Sequence, residues 1–149
     1  MTKRLSDIFI ASIGVIILIA PFIFIWCVIK LTKSGRPLYW SRRVGCNGAL
    51  FLMPKFRTMK INTPEVATDK LPYAENYLTP IGSFLRKTSL DEIPQLFSVL
   101  KGDMSLVGPR PALYNQYDVI SMRKDLGIDL LRPGITGWAQ VNGRDNISL

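Results

Sequence analysis

The hydrophobic residues are concentrated in one N-terminal run, residues 8 to 29, which contains no charged residue. As a helix this run would extend roughly 33 Å, which is enough to cross the hydrocarbon core of a bilayer. Pro21 lies near its middle and favours a kink, because proline removes a backbone hydrogen bond. Lysine and arginine flank both ends, and such flanks mark the cytoplasmic side of a membrane. We therefore expect a helix–break–helix hairpin that re-enters the membrane; a spanning helix kinked at proline is the alternative.

Beyond residue 34 the hydrophobic residues occur in shorter runs that are separated by polar and turn-forming residues. Two β-rich runs, 38–44 and 49–56, flank Cys46-Asn47-Gly48 and predict a β-hairpin. Residues 61–78 are polar and without a period, which is typical of a lid or a disordered segment.

The remaining pattern predicts three helices and a further strand. The first helix begins at Thr79-Pro80, the second follows Ser89 and ends at Lys101-Gly102, the third covers 111–125, and the strand covers 135–141. The predicted fold class is α/β (α+β): an N-terminal re-entrant membrane helix-break-helix (1–33), then a small helix-rich domain with a β-hairpin (34–149).

Composition narrows the possible chemistry. The 149 residues contain no histidine and two cysteines, which excludes Ser-His-Asp and Cys-His catalysis, histidine metal sites and a disulfide framework. The net charge of +8 points to an anionic partner such as a nucleic acid, an anionic lipid or a phosphorylated substrate. Any catalysis must therefore use carboxylates, lysine, arginine, hydroxyl groups or a hard metal ion.

Asp91 and Glu92 are the only adjacent carboxylates among eleven acidic residues. They lie near a predicted helix start, just after Arg86 and Lys87, where free backbone N–H groups favour anions. The spacing Ser89-x-x-Glu92 is also that of a capping box, which is a purely structural motif. On this segment alone the cap is the favoured interpretation.

Two other segments concentrate positive charge. Three cations lie within Lys55-Phe56-Arg57-Thr58-Met59-Lys60, where a solvated strand face is the default interpretation. Prolines fix the backbone on either side of Arg110 in Gly108-Pro109-Arg110-Pro111, which forms either a structural turn or a preset anion clamp.

Four blocks in this order resemble the bacterial sugar transferase family, the monotopic phosphoglycosyl transferases. They are Lys55–Met59, Arg86–Leu96, Lys101–Pro111 and Arg132–Arg144, and with the apolar segment they cover nearly the whole chain. The resemblance implies transfer of a sugar 1-phosphate from a UDP-sugar to polyprenyl (undecaprenyl) phosphate through a phosphosugar–aspartyl intermediate. Such a transfer initiates the synthesis of surface polysaccharides, such as exopolysaccharide or lipopolysaccharide.

The resemblance also implies roles for individual residues. Asp91 would be the nucleophile and a contact of Mg²⁺, with Glu92 as its catalytic partner. Phosphate would be held by Lys55, Arg86 and Arg110, and the nucleotide or substrate by Arg57, Arg132 and Arg144. The expected location is the cytoplasmic face of the bacterial inner membrane, with the donor, the polyprenyl acceptor and membrane lipid as partners.

Two departures from the family pattern qualify these expectations. Family members break their membrane helix at Ser-Pro, where this chain has Ala20-Pro21. They also continue for several tens of residues past the Asn-Gly-Arg segment, so we expect a C-terminally truncated catalytic domain.

Other functions remain open on the sequence. One is a membrane-anchored basic scaffold or lipid-binding module, in which Ser89–Glu92 only caps a helix, and another is an inactive truncated remnant of the family. Nucleic-acid binding is not expected, because no recognised motif accompanies the basic charge.

Overall fold

The N-terminal segment forms one long helix, α1 (Thr2–Leu31), which contains Pro21. The structure, a computed structural model, describes residues 2–32, 35–66 and 71–142. By length and apolar composition α1 could cross a membrane. The predicted interruption at Pro21 is not seen, since the helix continues through the proline; the predicted re-entry into the membrane stays a prediction.

Polar contacts fix the start of α1 to the rest of the chain. The Arg4 guanidinium donates to the carbonyl oxygens of Val99 and Leu100, at 2.6 and 3.0 Å. The buried Asp7 carboxylate accepts from the Ser105 hydroxyl at 2.8 Å and from the Leu106 amide at 3.2 Å. The N-terminal end of this apolar helix therefore lies against the globular part and not away from it.

Both hydrophobic clusters of the described residues include α1. The first joins Ala11 to Met53, Val99 and Met104, and the second joins Ile25 and Ile29 to Phe56 and Leu85. The remaining face of the helix is apolar and exposed. Its side chains that are more than half exposed are Leu5, Phe9, Ile10, Ile16, Ile17, Ile19, Ile23, Phe24 and Leu31.

The predicted β-hairpin is confirmed. Strand β1 (Leu38–Val44) pairs antiparallel with β2 (Leu50–Phe56), and Ser41 lies opposite Met53. Asn47 and Gly48 both adopt positive φ, of 55° and 73°, which is the backbone geometry that favours Asn-Gly in tight hairpins.

The helices are shorter than predicted. Helix α2 covers Gly82–Thr88, because the Thr79 hydroxyl donates to the Thr58 carbonyl and does not cap a helix. Helix α3 covers Gln95–Lys101 and ends at Gly102, with φ of 104°, as expected.

Residues 111–116 are not helical, contrary to the expectation, and α4 covers only Tyr117–Asp125. This segment pairs with the free edge of β1: the Val44 amide donates to the Ala112 carbonyl at 3.0 Å. Helix propensity over 111–116 is overridden by the unpaired strand edge.

A second small sheet joins β3 (Ser105–Val107) in parallel to β4 (Gly134–Thr136). The predicted strand over 135–141 ends at Thr136, and a short helix, α5 (Trp138–Val141), follows. Gly108 and Gly134 lie side by side, and a Cβ atom on Gly134 would lie only 2.1 Å from the Gly108 nitrogen. Glycine is therefore required where the two loops meet, and this contact positions the segment that contains Arg110.

Candidate active site

Asp91 and Glu92 lie in a single 3-10 turn, Leu90–Glu92, between α2 and α3. Ser89 reverses the chain before it, with a positive φ of 57°. The capping-box interpretation is wrong, since this turn has no side-chain cap hydrogen bond and α3 begins only at Gln95. The turn brings both carboxylates toward the hairpin. The Glu92 side chain can therefore form an ion pair with a residue that is far away in sequence.

Glu92 joins two cations from different parts of the chain. Its Oε1 atom accepts from the Lys55 ammonium at 2.7 Å and lies 3.9 Å from NH1 of Arg110. Lys55 comes from β2, and Arg110 follows β3. The structure thus brings together three of the predicted site residues that are far apart in sequence.

The pKa values of Glu92 and Lys55 are both shifted downward, but for different reasons. Burial opposes ionisation of Glu92, but the Lys55 ammonium, its hydrogen bond and Arg110 outweigh burial and hold the pKa of Glu92 below its ordinary value. Burial lowers the pKa of Lys55, although Glu92 and Asp91 partly oppose this. The cations thus decide the direction of the shift for Glu92, whereas burial decides it for Lys55.

Asp91 is buried, with 7% of its surface exposed. Burial raises its pKa, the Glu92 charge raises it further, and the Lys55 and Arg86 charges act in the opposite direction. A poorly hydrated carboxylate has less solvent to displace before it reacts, and the neighbouring cations favour its ionised form, which is the form that can act as a nucleophile.

Lys55, Arg110 and Glu92 line a shallow pocket, whereas Asp91 and Arg86 are next to it and not among its lining residues. Its walls also include residues that the sequence analysis missed, Arg43 and Gln95 among them. The lining residues are Arg43, Met53, Lys55, Glu92, Gln95, Arg110, Pro111, Gly134 and Ile135. The alternation of side chains along the paired strands could have identified Arg43 as a site residue. It places Arg43 on the same face of the hairpin as Met53 and Lys55.

Gln95 is almost completely buried in this wall, with 2% of its surface exposed. No hydrogen bond of ordinary geometry joins its Nε2 atom to another described residue, but the amide lies close enough to Glu92 to help lower the pKa of that carboxyl group. The Gln95 amide thus lies beside Glu92 in the pocket wall, where it can donate to that carboxylate or to an anion in the pocket.

Arg86 lies behind the turn. Its Nε atom donates to the Thr58 hydroxyl and its NH2 atom to the Met59 sulfur, both at 3.1 Å. Since its charge also lowers the pKa of Asp91, Arg86 is close enough to stabilise the ionised carboxylate. Its position agrees with the predicted supporting role, which stays a prediction.

Neither Arg57 nor Arg132 lines the pocket. Arg57 donates to the Arg36 carbonyl at 2.9 Å and lies over the Tyr39 ring, and Arg132 is exposed beside Pro133. Arg144 lies outside the described residues. Their predicted roles in binding the nucleotide stay predictions.

The carboxylate oxygens of this site are ligands that suit a hard divalent cation, provided that the substrate supplies further oxygen ligands. Across residues 2–32, 35–66 and 71–142 no group of three or more acidic, cysteine or histidine side chains converges as a complete metal cage. Mg²⁺ does not need one, because it is commonly held by one or two carboxylates together with substrate phosphates and water. The Asp91 carboxylate, buried but joined to no lysine or arginine by a described ion pair, fits that arrangement.

The chain is similar to known proteins over nearly its whole length. A family model described as "Bacterial sugar transferase" matches residues 1–149. The chain is 42% identical to an undecaprenyl-phosphate galactose phosphotransferase of Salmonella typhimurium, over 97% of the chain and 33% of that protein. It is 38% identical to a UDP-glucose:undecaprenyl-phosphate glucose-1-phosphate transferase of Xanthomonas campestris pv. campestris, over 96% of the chain and 30% of that protein.

A shorter relative is covered more fully. The exopolysaccharide production protein ExoY of Rhizobium meliloti is 36% identical, over 99% of the chain and 72% of that protein. The chain thus spans about a third of the length of some relatives and nearly three quarters of this one.

Proposed function

Because the chain belongs to the bacterial sugar transferase family, we propose that it transfers a sugar 1-phosphate from a UDP-sugar to a polyprenyl phosphate. The names of two relatives, with undecaprenyl phosphate as the acceptor and glucose or galactose as the sugar, support this choice of substrates. The observation that carries the proposal is the buried Asp91 carboxylate beside the ion pair of Lys55 and Glu92.

The reaction has two displacements at the same phosphorus atom. A carboxylate oxygen of Asp91 attacks the sugar-linked phosphorus, the Asp91 O–P bond forms, and the bond to the UMP phosphate breaks with its electron pair on UMP. A phosphate oxygen of the polyprenyl acceptor then attacks that phosphorus. The O–P bond to Asp91 breaks, the carboxylate is restored, and a polyprenyl diphosphate sugar is released.

Like charges oppose the first step, because both the carboxylate and the diphosphate are anionic. A pair of like unit charges 4 Å apart costs about 1 kcal/mol in water and about 4 kcal/mol at an effective dielectric of 20. Lys55 and Arg110 line the pocket next to the turn of Asp91, and their charges offset this repulsion. Glu92 holds both cations in place, which gives it a positioning role in the catalytic pair.

A bound Mg²⁺ would neutralise the diphosphate further and orient its oxygens. Asp91 would contact the ion, which the phosphates of the donor would share. Lys55 and Arg110 would contact other phosphate oxygens with the donors that Glu92 does not occupy.

The position of α1 supports a site at the membrane surface. Its exposed apolar face suits lipid, and the contacts of Arg4 and Asp7 tie its N-terminal end to the globular part. We place the pocket at the cytoplasmic face of the bacterial inner membrane. There the acceptor phosphate can reach Asp91 while its polyprenyl tail stays in the bilayer.

The test is mass spectrometry of the full chain after incubation with UDP-galactose or UDP-glucose and Mg²⁺, without lipid acceptor. We expect a phosphosugar adduct on the peptide that contains Asp91, together with release of UMP. Asp91→Asn keeps the shape of the side chain but removes the nucleophile, so it should give no adduct and no turnover while still binding membranes. Wild-type turnover in Asp91→Asn would rule out the proposed mechanism.

A further inference from the structure

Arg43 is a cation in the pocket wall whose described hydrogen bonds are all to neutral groups. Its Nε atom donates to the Ser41 hydroxyl and its NH1 atom to the Pro111 carbonyl, both at 3.0 Å. None of the ion pairs among the described residues includes Arg43. Its charge is therefore not neutralised by a bonded carboxylate, unlike that of Lys55.

The surroundings make this charge costly in the free protein. Burial and the neighbouring Arg110 charge lower the pKa of Arg43 to about 10, and Glu92 only partly compensates. Arg43, Lys55 and Arg110 bring three cations to a pocket that has one anion, Glu92, among its lining residues. A poorly solvated site with excess positive charge is stabilised when an anion enters it.

The guanidinium is also held at a fixed orientation. Ser41, itself 2% exposed, and the Pro111 carbonyl occupy the Nε and NH1 atoms. The NH2 atom has no hydrogen-bond partner within the described residues. A planar guanidinium fixed along one side can offer its remaining donors to a phosphoryl group with little further loss of side-chain freedom.

We propose that Arg43 is a substrate-binding residue, whose NH2 atom donates to a phosphoryl oxygen of the sugar nucleotide. Arg43 and Arg110 then contact the donor from two sides, one from β1 and the other from the loop after β3. This inference rests on the proposed function for the identity of the ligand. It adds an anchor from β1 to the two cations, Lys55 and Arg110, that the sequence predicted for this site.

The experiment compares Arg43→Gln, Arg43→Lys and the control Arg42→Gln, each in the full chain that also carries Asp91→Asn, so that no turnover occurs. Arg42 is exposed, pairs with Glu65 and is not in the pocket wall, so its loss removes the same charge one residue away. The dissociation constants of UDP-galactose, UDP-glucose, inorganic pyrophosphate and uridine are measured for each variant at fixed ionic strength.

We expect Arg43→Gln to weaken the binding of UDP-sugar and pyrophosphate by about tenfold or more, which is the usual loss for one charge-assisted hydrogen bond. Arg43→Lys should recover part of that loss, because it keeps the charge but not the fixed geometry. Uridine, which lacks phosphate, should bind all variants equally, and Arg42→Gln should stay within about twofold of the parent for every ligand.

Two results would overturn the inference: phosphate ligands that bind Arg43→Gln as tightly as the parent, or uridine that is weakened as much as pyrophosphate. The second result would indicate a role of Arg43 in structure alone. The proposed function is tested separately, because it fails if the wild-type chain forms no adduct and releases no UMP, whatever the affinities of the Arg43 variants.

Discussion

At the scale of single residues, the charge on Lys55 acts on both carboxylates of the site. It forms the closest ion pair of Glu92, at 2.7 Å, and it opposes the rise in the pKa of Asp91 that burial causes. A buried pair such as this is stabilising only while both partners are present, because a lone buried charge has lost its hydration without compensation. Lys55 therefore links the stability of the turn to the ionisation of the proposed nucleophile.

The pH profile of Lys55→Met tests this link. Asp91 must be ionised to react, so the rate should fall as the pH drops through its pKa. Removing a nearby cation raises the pKa of a carboxyl group, and the acid limb should therefore move to higher pH in the variant. The rate on the plateau should fall by about 100-fold, as for loss of one transition-state cation or donor.

Lys87→Met is the matched control, because Lys87 is exposed and lies four residues before Asp91. It should leave both the acid limb and the plateau of UMP release nearly unchanged. An acid limb that stays in place in Lys55→Met would contradict the coupling between Lys55 and Asp91.

At the scale of elements, α1 is a structural part of the globular domain as well as an apolar helix. Ala11, Ile25 and Ile29 lie in the two hydrophobic clusters, where they contact β2, α2 and α3. These are the elements that carry Lys55 and flank the turn of Asp91. The helix thus supports the site from behind, and its loss should disrupt the domain instead of only detaching it from the membrane.

A pair of alanine substitutions separates these two roles of α1. Ile29 is fully buried, whereas Ile17 is 67% exposed on the apolar face. Ile29→Ala should destabilise the detergent-solubilised protein by about 3 kcal/mol, as for other large-to-small changes in cores. Ile17→Ala, which removes the same atoms from the exposed face, should change the free energy of unfolding by less than about 0.5 kcal/mol.

Unfolding of both variants by denaturant, in the same detergent, measures the difference. Equal losses of stability at the two positions would show that the packing of α1 against the domain is not maintained in solution.

At the scale of the whole molecule, both ends of α1 lie against the same globular part. Arg4 and Asp7 bond to it near the start of the helix, and Ile29 packs against it near the end. A helix that crossed the membrane fully would carry its charged N-terminal residues to the side opposite the domain and break these contacts. The contacts agree with the symmetrical positive flanks of the apolar run.

Accessibility of single cysteines in membrane vesicles tests this arrangement. In a chain without Cys27 and Cys46, Thr2→Cys and Lys60→Cys should react with a membrane-impermeant reagent from the same side. Lys60 is exposed in the globular part and marks the side on which that part lies. Labelling of the two positions from opposite sides would rule out the re-entrant arrangement.

The local conformational preferences of the residues determined several elements of the fold. The hairpin could be predicted because Asn47 and Gly48 adopt positive φ easily, and the end of α3 because Gly102 does the same. The helical character of the apolar run was predicted, but the continuity of α1 through Pro21 was not. Asp91, Glu92 and the cations were recognisable by residue type and by resemblance.

Only the tertiary structure decided how these groups meet. Lys55 and Glu92 are 37 residues apart, so no local pattern shows that they form an ion pair. Nor does the local sequence show that Ser89 and Glu92 do not form the capping box. Residues 111–116 pair with the free edge of β1 and do not form a helix. The same contact brings the Pro111 carbonyl to Arg43, which lines the pocket. The physical reason is that torsional preferences act between neighbours in sequence, whereas strand pairing, burial and charge act between neighbours in space.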